Sequence, residues 1–213
     1  MSFDLLAPHY RWMESVLAGD KLQYCRTAFL RRLPSATNIL ILGEGNGRFL
    51  RECRRQFPDA KITVVDSSAR MLEQARRRLT KLEVKCGQIN FVHANALTWT
   101  PPARAFDLIV THFFLDCFRP EQLQSLIAGL ADSAAPGANW LLADFQAAAH
   151  GWRRLRSRAI LWVMYRFFTI VTRLPAGSLT PPDPFLEQQG FKLRERVVHD
   201  WELLHSDWWR QNQ

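Results

Sequence analysis

The hydrophobic and polar positions of this chain follow two alternating periods. Short apolar runs rich in Ile, Val and Phe predict β-strands. Apolar residues at helical spacing fill the stretches between them, and a strand followed by a helix, repeated along a chain, predicts a doubly wound α/β fold with a mostly parallel sheet. The predicted strands are 39–42, 62–65, 91–93, 106–110 and 140–144, and the helices between them are 47–57, 68–82 and 120–134.

The segments on either side of this repeat have other patterns. A helical region, 8–33, precedes the first strand, and a long basic and aromatic helix, 152–173, follows the fifth strand. A proline-rich loop and two further strands come last, and we expect these strands to form an antiparallel hairpin. The length fits one well-filled core, so we expect a single domain. Its parts are an N-terminal helical region 1–36, a core 37–145 and a C-terminal part 146–213.

The composition is that of a globular protein, with 47% hydrophobic and 23% charged residues. Its longest apolar run is interrupted by Arg166 and is shorter than the roughly 20 residues that cross a bilayer. The first residues lack the basic start of a secretory signal. The four cysteines are widely spaced and form no C-x-x-C pair. This pattern predicts reduced thiols in a cytoplasmic protein and no metal site.

The positive charge of the chain is concentrated in one segment. The net charge is +8, and 145–182 contains six arginines but no Lys, Asp or Glu. A helix with this composition either covers an apolar ligand or lies on an anionic membrane with its arginines among the headgroups. Burial as an ordinary helix of the outer layer is the third interpretation of 152–173.

Three glycines, Gly43, Gly45 and Gly47, follow the first predicted strand and precede a helix. In open α/β sheets this turn is the usual nucleotide contact. The spacing G-x-G-x-G differs from the G-x-G-x-x-G of dinucleotide-binding proteins, and no Gly-Lys-Ser/Thr of a P-loop follows it. It favours a compact ligand with an adenosine and an amino-acid tail, although an ordinary strand-to-helix turn has the same residues.

Two polar residues at the ends of the next strands strengthen the nucleotide interpretation. Asp66 ends the second strand nineteen residues beyond Gly47, where an acid accepts hydrogen bonds from both ribose hydroxyls. Ser68 is available to cap the following helix, so Asp66 is not needed there. Asn95 follows the third strand, and its amide suits the edge of an adenine ring.

The segments "ILILGEGNGRFL", "VVDSSARML", "HANAL" and "FDLIVTHFFLD" occur in this order along the chain. They resemble the first to fourth motifs of class I S-adenosylmethionine-dependent methyltransferases over about two thirds of its length. "FDLLAPHY" and the D-x-S-x-x-M-L form of the second motif are similar to the small-molecule group that includes the ubiquinone and menaquinone C-methyltransferases. The resemblance implies a Rossmann-like, seven-stranded sheet with an antiparallel C-terminal strand, the cofactor S-adenosylmethionine and a small-molecule acceptor.

The resemblance also implies a set of cofactor contacts, in which the glycines line the methionine moiety and Asp66 holds the ribose. The chain departs from the family at Ile41, where an acid is usual. We expect Glu44 to supply the missing charge by facing the methionine ammonium, the alternative being a solvated carboxylate. The implied contacts are Tyr10, Gly43, Glu44, Gly45, Asn46, Gly47, Asp66, Ser67, Met71, Asn95, Ala96, Leu97, Thr111 and His112.

Two residues after the fourth strand are candidates for catalysis. Methyl transfer depends mainly on holding the acceptor aligned in a dry site, but a general base is useful for some acceptors. His112 and Asp116 stand where such a base is needed. We prefer His112, whose ordinary pKa is near neutrality, against the alternative that it only lines the cofactor pocket.

The residues around the acceptor are rich in aromatic side chains. "THFFLDCF" and "DWELLHSDWW" predict a hydrophobic or lipid-like acceptor. A nucleic-acid acceptor is disfavoured because the Asn/Asp-Pro-Pro-Tyr/Phe set of base-methylating enzymes is missing after the fourth strand. A second hypothesis is a non-catalytic cofactor-binding or membrane-adaptor protein with this fold, which Ile41 favours. The sequence does not indicate the oligomeric state.

Overall fold

The predicted sheet is present. The structure, a computed structural model, describes residues 20–80, 88–172 and 179–212. The strands of these residues form one seven-stranded sheet in the order β3-β2-β1-β4-β5-β7-β6. β1 to β5 are parallel, and β7 is antiparallel to both β5 and β6. Their bounds are β1 Asn38–Leu42, β2 Lys61–Asp66, β3 Ile89–His93, β4 Phe106–His112, β5 Ala134–Phe145, β6 Phe191–His199 and β7 Leu204–Gln211.

Helices connect the parallel strands and follow β5. The helices predicted between the strands are confirmed where the structure describes them, and so is the long helix after β5. Residues 81–82 of the predicted helix 68–82, residue 173 of the predicted helix 152–173 and residues 174–178 of the proline-rich loop lie outside the described residues. Two short 3-10 helices, Leu30–Arg32 and Leu115–Cys117, lie before β1 and after β4. The α-helices are α1 Lys21–Thr27, α2 Arg48–Gln56, α3 Ala69–Thr80, α4 Pro120–Asp132, α5 Gly151–Thr172 and α6 Asp183–Gln188.

Successive residues of the central strands are buried on opposite faces of the sheet, which explains why these strands are continuously apolar. Leu40 and Ile109 belong to the core that includes Leu123 of α4. Ile39 and Leu108 belong to the core that includes Phe49 of α2 and Leu79 of α3. Both faces of the sheet are therefore covered by helices.

The structure differs from the prediction at some boundaries. β5 begins at Ala134, well before the predicted start at 140, and the β4–β5 register shifts between Phe106 and Leu108. Pro136 and Gly137 favour a turn, but Gly137 takes a φ of +74° inside this irregular part of the strand. Helix α6 follows the proline-rich loop and was not predicted. Of the predicted helical region 8–33, residues 8–19 lie outside the described residues, as does Tyr10.

The topology determines where a ligand site forms. β1, β2, β4 and β5 run in one direction, so the loops at their carboxyl ends lie along the same edge of the sheet. The strand order reverses between β1 and β4. The candidate residues after β1, β2 and β4 therefore come together at this edge.

Candidate functional site

The loop after β1 needs glycine for its backbone conformation and for its packing. Gly43, Gly45 and Gly47 have φ values of +64°, +66° and +82°, a region that favours glycine. A Cβ on Gly43 would stand 2.4 Å from Phe114 Cδ2, and one on Gly47 would stand 2.8 Å from the Cα of Ala75. Two of the glycines thus make room for protein groups, a reason that the spacing alone does not reveal.

Asp66 joins the loop after β1 to the turn after β2. Its Oδ2 accepts the backbone N–H of Gly45 at 3.3 Å, and its Oδ1 accepts that of Ser68 at 2.9 Å. The Oγ of Ser68 accepts the N–H of Met71 at 3.2 Å and caps α3, as predicted. Asp66 is half-buried at the sheet edge, and a carboxylate oxygen can accept more than one hydrogen bond.

Glu44 lies at the N-terminus of α2. Its Oε1 accepts the backbone N–H of Leu50 at 2.9 Å, which satisfies one of the amides that a helix leaves unpaired at its start. The side chain is half-buried. Burial raises the pKa of its carboxyl to about 7, against the opposing effects of the Leu50 amide and the Arg26 guanidinium. The carboxyl group is held by the protein and titrates near neutrality.

The predicted adenine contacts lie after β2 and β3. Met71 is buried in α3, and the Ser67 carbonyl is 3.1 Å from His93 Nε2. Asn95 is exposed, and its Oδ1 accepts the N–H of Leu97 at 3.0 Å. The oxygen of the Asn95 side chain thus stabilises the turn that contains it, and its NH₂ group can donate to another partner. Ala96 is half-buried and Leu97 is exposed in this turn, whereas Asn46 is buried in the loop after β1.

Thr111 and His112 end β4 on opposite faces of the sheet. The Thr111 hydroxyl is fully buried and accepts a hydrogen bond from Trp140 Nε1 at 2.9 Å, which places it in the core beneath α4. The His112 ring packs edge-on against Phe49, with 4.6 Å between centroids. Its Nδ1 is buried and has no hydrogen-bond partner among the residues that the structure describes. Burial, with Arg26, lowers the pKa of His112 well below its usual value, so its ring is neutral.

Asp116 lies beside a second acid that the sequence analysis missed. Its backbone N–H donates to Asp144 Oδ2 at 3.2 Å, and Cys117 Sγ donates to its Oδ1 at 3.5 Å. Burial raises the pKa of Asp116 to about 6 and that of Asp144 well above its usual value. Asp144 occupies the carboxyl end of β5, a position that could have identified it as a site residue.

A buried cation, Arg26, was also missed. It belongs to α1 and is only 7% exposed. Its guanidinium carbon is 5.1 Å from the centre of the Phe113 ring, within the range of a cation–π contact. Phe113 itself takes a φ of +52° at the end of β4. No local pattern marks Arg26, because the groups that it meets are distant in sequence.

These residues fit a nucleoside ligand with an amino-acid tail. The left-handed glycine turn, the half-buried Asp66 carboxylate at the end of β2 and the His112 ring at the end of β4 lie along one edge of the sheet. The described ranges 20–80, 88–172 and 179–212 contain no cluster of three or more His, Cys, Asp or Glu residues suited to a metal ion. The site lies where doubly wound sheets bind nucleotides.

Comparison with known sequences agrees with this geometry. Residues 39–137 match the family described as "Methyltransferase domain". A trans-aconitate 2-methyltransferase of Paracidovorax citrulli is 35% identical over 111 residues, which are 51% of this chain and 39% of that protein. The corresponding protein of Streptomyces avermitilis is 30% identical over 164 residues, 70% of this chain and 60% of the relative. This chain therefore spans less than two thirds of these relatives.

Solved structures share the fold. The N-methyltransferase NodS of Bradyrhizobium japonicum in complex with S-adenosyl-L-homocysteine superposes with a TM-score of 0.64 at 16% identity. The match covers 91% of this chain and 85% of NodS. A putative methyltransferase in complex with the Haloferax volcanii Trm112 activator gives a TM-score of 0.71 at 13% identity, covering 99% of this chain and 96% of that one. At such identities the likeness concerns the arrangement of strands and helices.

Proposed function

Because this chain belongs to the class I S-adenosylmethionine-dependent methyltransferases, we propose that it transfers a methyl group to a small hydrophobic acceptor. The cofactor of this class is S-adenosylmethionine, which when bound supplies a methyl group on a positively charged sulfur. The observation that carries the proposal is the hydrogen bond from Gly45 to Asp66. It joins the glycine loop to the acid that we expect to bind the ribose, which supports one site formed by both.

Several residues of the site then have a role in binding the cofactor. Asp66 accepts hydrogen bonds from the ribose hydroxyls with its carboxylate, and Glu44 faces the ammonium of the methionine tail at the start of α2. The turn with Asn95 borders the adenine, next to the buried Met71. Charged hydrogen bonds of this kind are stronger than neutral ones, so Asp66 and Glu44 are expected to contribute most to affinity.

A proton acceptor is available beside the end of β4. The His112 ring is neutral and carries a lone pair, but its depressed pKa makes it a weak base. The pKa of Asp116, about 6, is nearer the operating pH, where a general base is most effective. We therefore propose Asp116 as the base for an acceptor that must lose a proton, and His112 as a residue that contacts the ligand.

The acceptor side of the site is lined with aromatic rings. Phe113 and Phe145 stack edge to face at 5.3 Å, and Phe114 does the same with Phe118 at 5.1 Å. Phe145 ends β5 and the other three rings follow β4, and together they support a hydrophobic acceptor. Relatives include the trans-aconitate 2-methyltransferase of Paracidovorax citrulli and, at 34% identity over 76 residues, a demethylmenaquinone methyltransferase of Chlamydia felis. Both names support a small-molecule acceptor.

We further propose that the protein is cytoplasmic and touches an anionic membrane through the outer face of α5. In the described residues, no helix is long and apolar enough to cross a membrane. Trp152, Leu155, Trp162 and Val163 are nonetheless 58%, 74%, 67% and 59% exposed. Such a helix suits the interface between headgroups and acyl chains. This contact would give access to an acceptor dissolved in the bilayer.

Thermal unfolding with ligand tests the cofactor. S-adenosylmethionine and its demethylated product stabilise the native state if they bind it, so both raise the melting temperature of the parent. Asp66→Ala removes this effect, while Asp59→Ala, an exposed position before β2, retains it. If neither ligand shifts the melting temperature of the parent protein, the proposed function is wrong.

Transfer of a labelled methyl group into a cell extract tests the acceptor. After the incubation, the extract is separated into lipid, aqueous small-molecule, RNA and protein fractions. Label in the lipid fraction is expected, and label in RNA would support a nucleic-acid methyltransferase instead. Cofactor binding without labelling of any fraction would favour a non-catalytic protein with this fold.

A further inference from the structure

The turn between β6 and β7, residues 200–203, lies at the edge of the sheet where the proposed site forms. β7 is antiparallel to β5, and its first residue, Leu204, pairs with Phe145 at the end of β5. The backbone N–H of Gln146 donates to the carbonyl of Leu203 at 2.8 Å. The turn is therefore beside the carboxyl end of β5, next to the rings on the acceptor side.

Three consecutive residues of this turn adopt a left-handed backbone. The φ values of Asp200, Trp201 and Glu202 are +46°, +56° and +67°, a region that residues other than glycine rarely occupy. Strain of this kind persists where the surrounding structure enforces it, and it concentrates at functional sites. The turn thus holds its side chains in directions that the chain alone would not favour.

Two arginines of α5 hold the turn in this conformation. Arg156 donates from Nη1 to the carbonyl oxygen of Asp200 at 3.2 Å and from Nη2 to its Oδ2 at 3.1 Å. Arg153 Nη1 donates to Glu202 Oε1 at 2.7 Å, and its guanidinium carbon is 5.6 Å from the centre of the Trp201 ring. Both acids of the turn therefore have a counter-charge, and the turn adds no uncompensated negative charge to this surface.

The turn presents an aromatic pair to the solvent. The Trp201 ring lies 5.6 Å from that of Trp152 in the first turn of α5, and the two residues are 57% and 58% exposed. Aromatic side chains gain much stability from burial, so two adjacent exposed indoles indicate a surface that binds a partner. An indole has an apolar body and a polar N–H group, a combination that suits the boundary of a membrane.

The aromatic pair continues along the exposed face of α5. Residues at helical spacing from Trp152 share this face, and those that are large, apolar and exposed are Leu155, Trp162 and Val163. Every charged residue of α5 is an arginine. A surface of exposed apolar side chains among arginines complements anionic headgroups above acyl chains.

We propose that the β6–β7 turn and the outer face of α5 form one membrane-docking surface, in which Trp152 and Trp201 lie between anionic headgroups and acyl chains. The inference rests on the proposed membrane contact of α5 and extends it to the edge of the sheet where the acceptor binds. The docked protein then holds this edge against the bilayer.

Apolar side chains connect this surface to the acceptor side. Leu203 of the turn belongs to a buried cluster with Leu161 and Met164 of α5, against which Phe113 and Phe145 pack. An acceptor dissolved in the bilayer therefore reaches the aromatic rings along apolar groups. This arrangement gives the membrane contact a purpose in methyl transfer.

Sedimentation with vesicles of phosphatidylglycerol and phosphatidylcholine at low salt tests the turn. Trp201→Ser leaves the net charge unchanged, so adsorption through charge alone predicts the affinity of the parent. We expect this variant to bind about tenfold more weakly or worse, and Trp152→Ser to behave in the same way. The matched control is Leu193→Ser, which changes an exposed leucine near the other end of β6 and should bind as the parent does.

Fluorescence locates the indole in the bilayer. Lipids with brominated acyl chains quench tryptophans that touch them, and Trp201→Phe should lower the quenched share of the emission. Trp208→Phe is the control, because Trp208 is half-buried in β7 and donates to Asn139 Oδ1 at 2.9 Å. It should leave the quenched emission unchanged.

Vesicle affinity of Trp201→Ser equal to that of the parent would overturn the inference. Loss of binding in Trp162→Ser alone would limit the contact to α5. Sedimentation velocity covers a second copy of the chain as the partner: a dimer that Trp201→Ser dissociates, with vesicle binding unchanged, also overturns the inference.

A cooperative urea transition shows that a variant is folded. If Trp201→Ser does not fold, Trp201→Phe decides the matter, since quenching equal to that of the parent contradicts the proposed position of the indole. A parent that ignores the vesicles contradicts the contact of α5 and this inference together. A parent that binds vesicles but not S-adenosylhomocysteine contradicts the proposed cofactor and leaves the docking surface standing.

Discussion

Asp144 Oδ2 accepts the backbone N–H of Asp116 at 3.2 Å and so brings two buried acids together at the ends of β4 and β5. Proximity to Asp116 adds to burial in raising the pKa of Asp144. Two carboxyl groups in this setting cannot both ionise at their ordinary pH. The pair therefore makes the stability of the protein depend on pH.

The first prediction concerns this dependence. The folded-state pKa of Asp116, about 6, is above its unfolded value, so the neutral acid stabilises the fold and stability falls as pH rises from about 4 to about 6. Asp144, whose pKa is also raised, extends the fall to higher pH. Asp116→Asn should remove the part of this pH dependence that Asp116 contributes, on the order of 2 to 3 kcal/mol of unfolding free energy. Urea unfolding curves recorded from pH 4 to pH 8 measure the change.

Asp132→Asn is the matched control for this measurement. Asp132 is the last residue of α4 and is exposed, so its replacement should leave the pH profile of the parent unchanged. Profiles of Asp116→Asn and the parent that run parallel over the whole range would contradict the prediction.

The second prediction concerns Glu44. Its carboxyl has a pKa of about 7, and a cationic ligand favours the ionised form. The affinity for S-adenosylhomocysteine should therefore increase by about tenfold between pH 6 and pH 8. In Glu44→Gln the affinity is weaker at pH 8 and nearly independent of pH, as measured by calorimetry across this range.

Glu52→Gln provides the comparison, because Glu52 pairs with Arg51 and Arg55 on α2. It should keep the pH dependence of the parent. If Glu44→Gln retains the full increase between pH 6 and pH 8, Glu44 does not face the ammonium group.

The parts of this fold that the sequence predicted are those with a local physical cause. β1 and β4 bury side chains on both faces of the sheet, so they are recognisable as apolar runs. The Ser68 cap lies three residues from the amide that it binds. Arg26 could not be found in this way, because its partners are distant in sequence and only the folded sheet brings them together.

The glycine loop also shows which features a sequence motif predicts and which it does not. The spacing of Gly43, Gly45 and Gly47 predicted a tight turn at the first strand, and the turn is present. The groups that exclude a Cβ at Gly43 and Gly47, however, are Phe114 and Ala75, which lie in other elements. A motif thus identifies a backbone conformation, but the atoms that enforce it come from tertiary packing.

The third prediction separates two reasons for glycine at position 47, the left-handed backbone conformation and the lack of space for a Cβ. Gly47 and Gly190 have similar φ values, +82° and +80°, but a Cβ at Gly190 has no neighbour within 4 Å. Gly190→Ala should cost only the backbone strain of the left-handed region, roughly 1 to 2 kcal/mol. Gly47→Ala adds a clash with the Ala75 backbone and should cost roughly 1 to 3 kcal/mol more.

The midpoints of urea unfolding measure both costs, and an unchanged slope shows that the unfolded state is not altered. Equal losses of stability in Gly47→Ala and Gly190→Ala would mean that α2 and α3 move apart without cost. In that case conformational freedom alone would explain the glycine at position 47.

The fourth prediction concerns the outer face of α5. Leu155 and Trp162 are exposed on this face, and Arg154, Arg158 and Arg166 are exposed around them. We expect the protein to sediment with vesicles of phosphatidylglycerol and phosphatidylcholine at low salt and to be released as salt screens the charges. Each arginine near the surface contributes about 1 kcal/mol, so Arg158→Glu should weaken binding by about tenfold or more.

A second variant tests the contribution of apolar side chains to membrane binding. Trp162→Ser removes a large exposed side chain, whose burial in the interface stabilises binding by roughly 1.5 to 3 kcal/mol, and should weaken sedimentation at any salt concentration. Leu193→Ser changes an exposed leucine of β6 and should bind as the parent does. Because α5 carries both kinds of side chain, loss of binding in Arg158→Glu but not in Trp162→Ser would indicate adsorption by charge alone. A parent that ignores anionic vesicles at low salt would exclude the membrane contact.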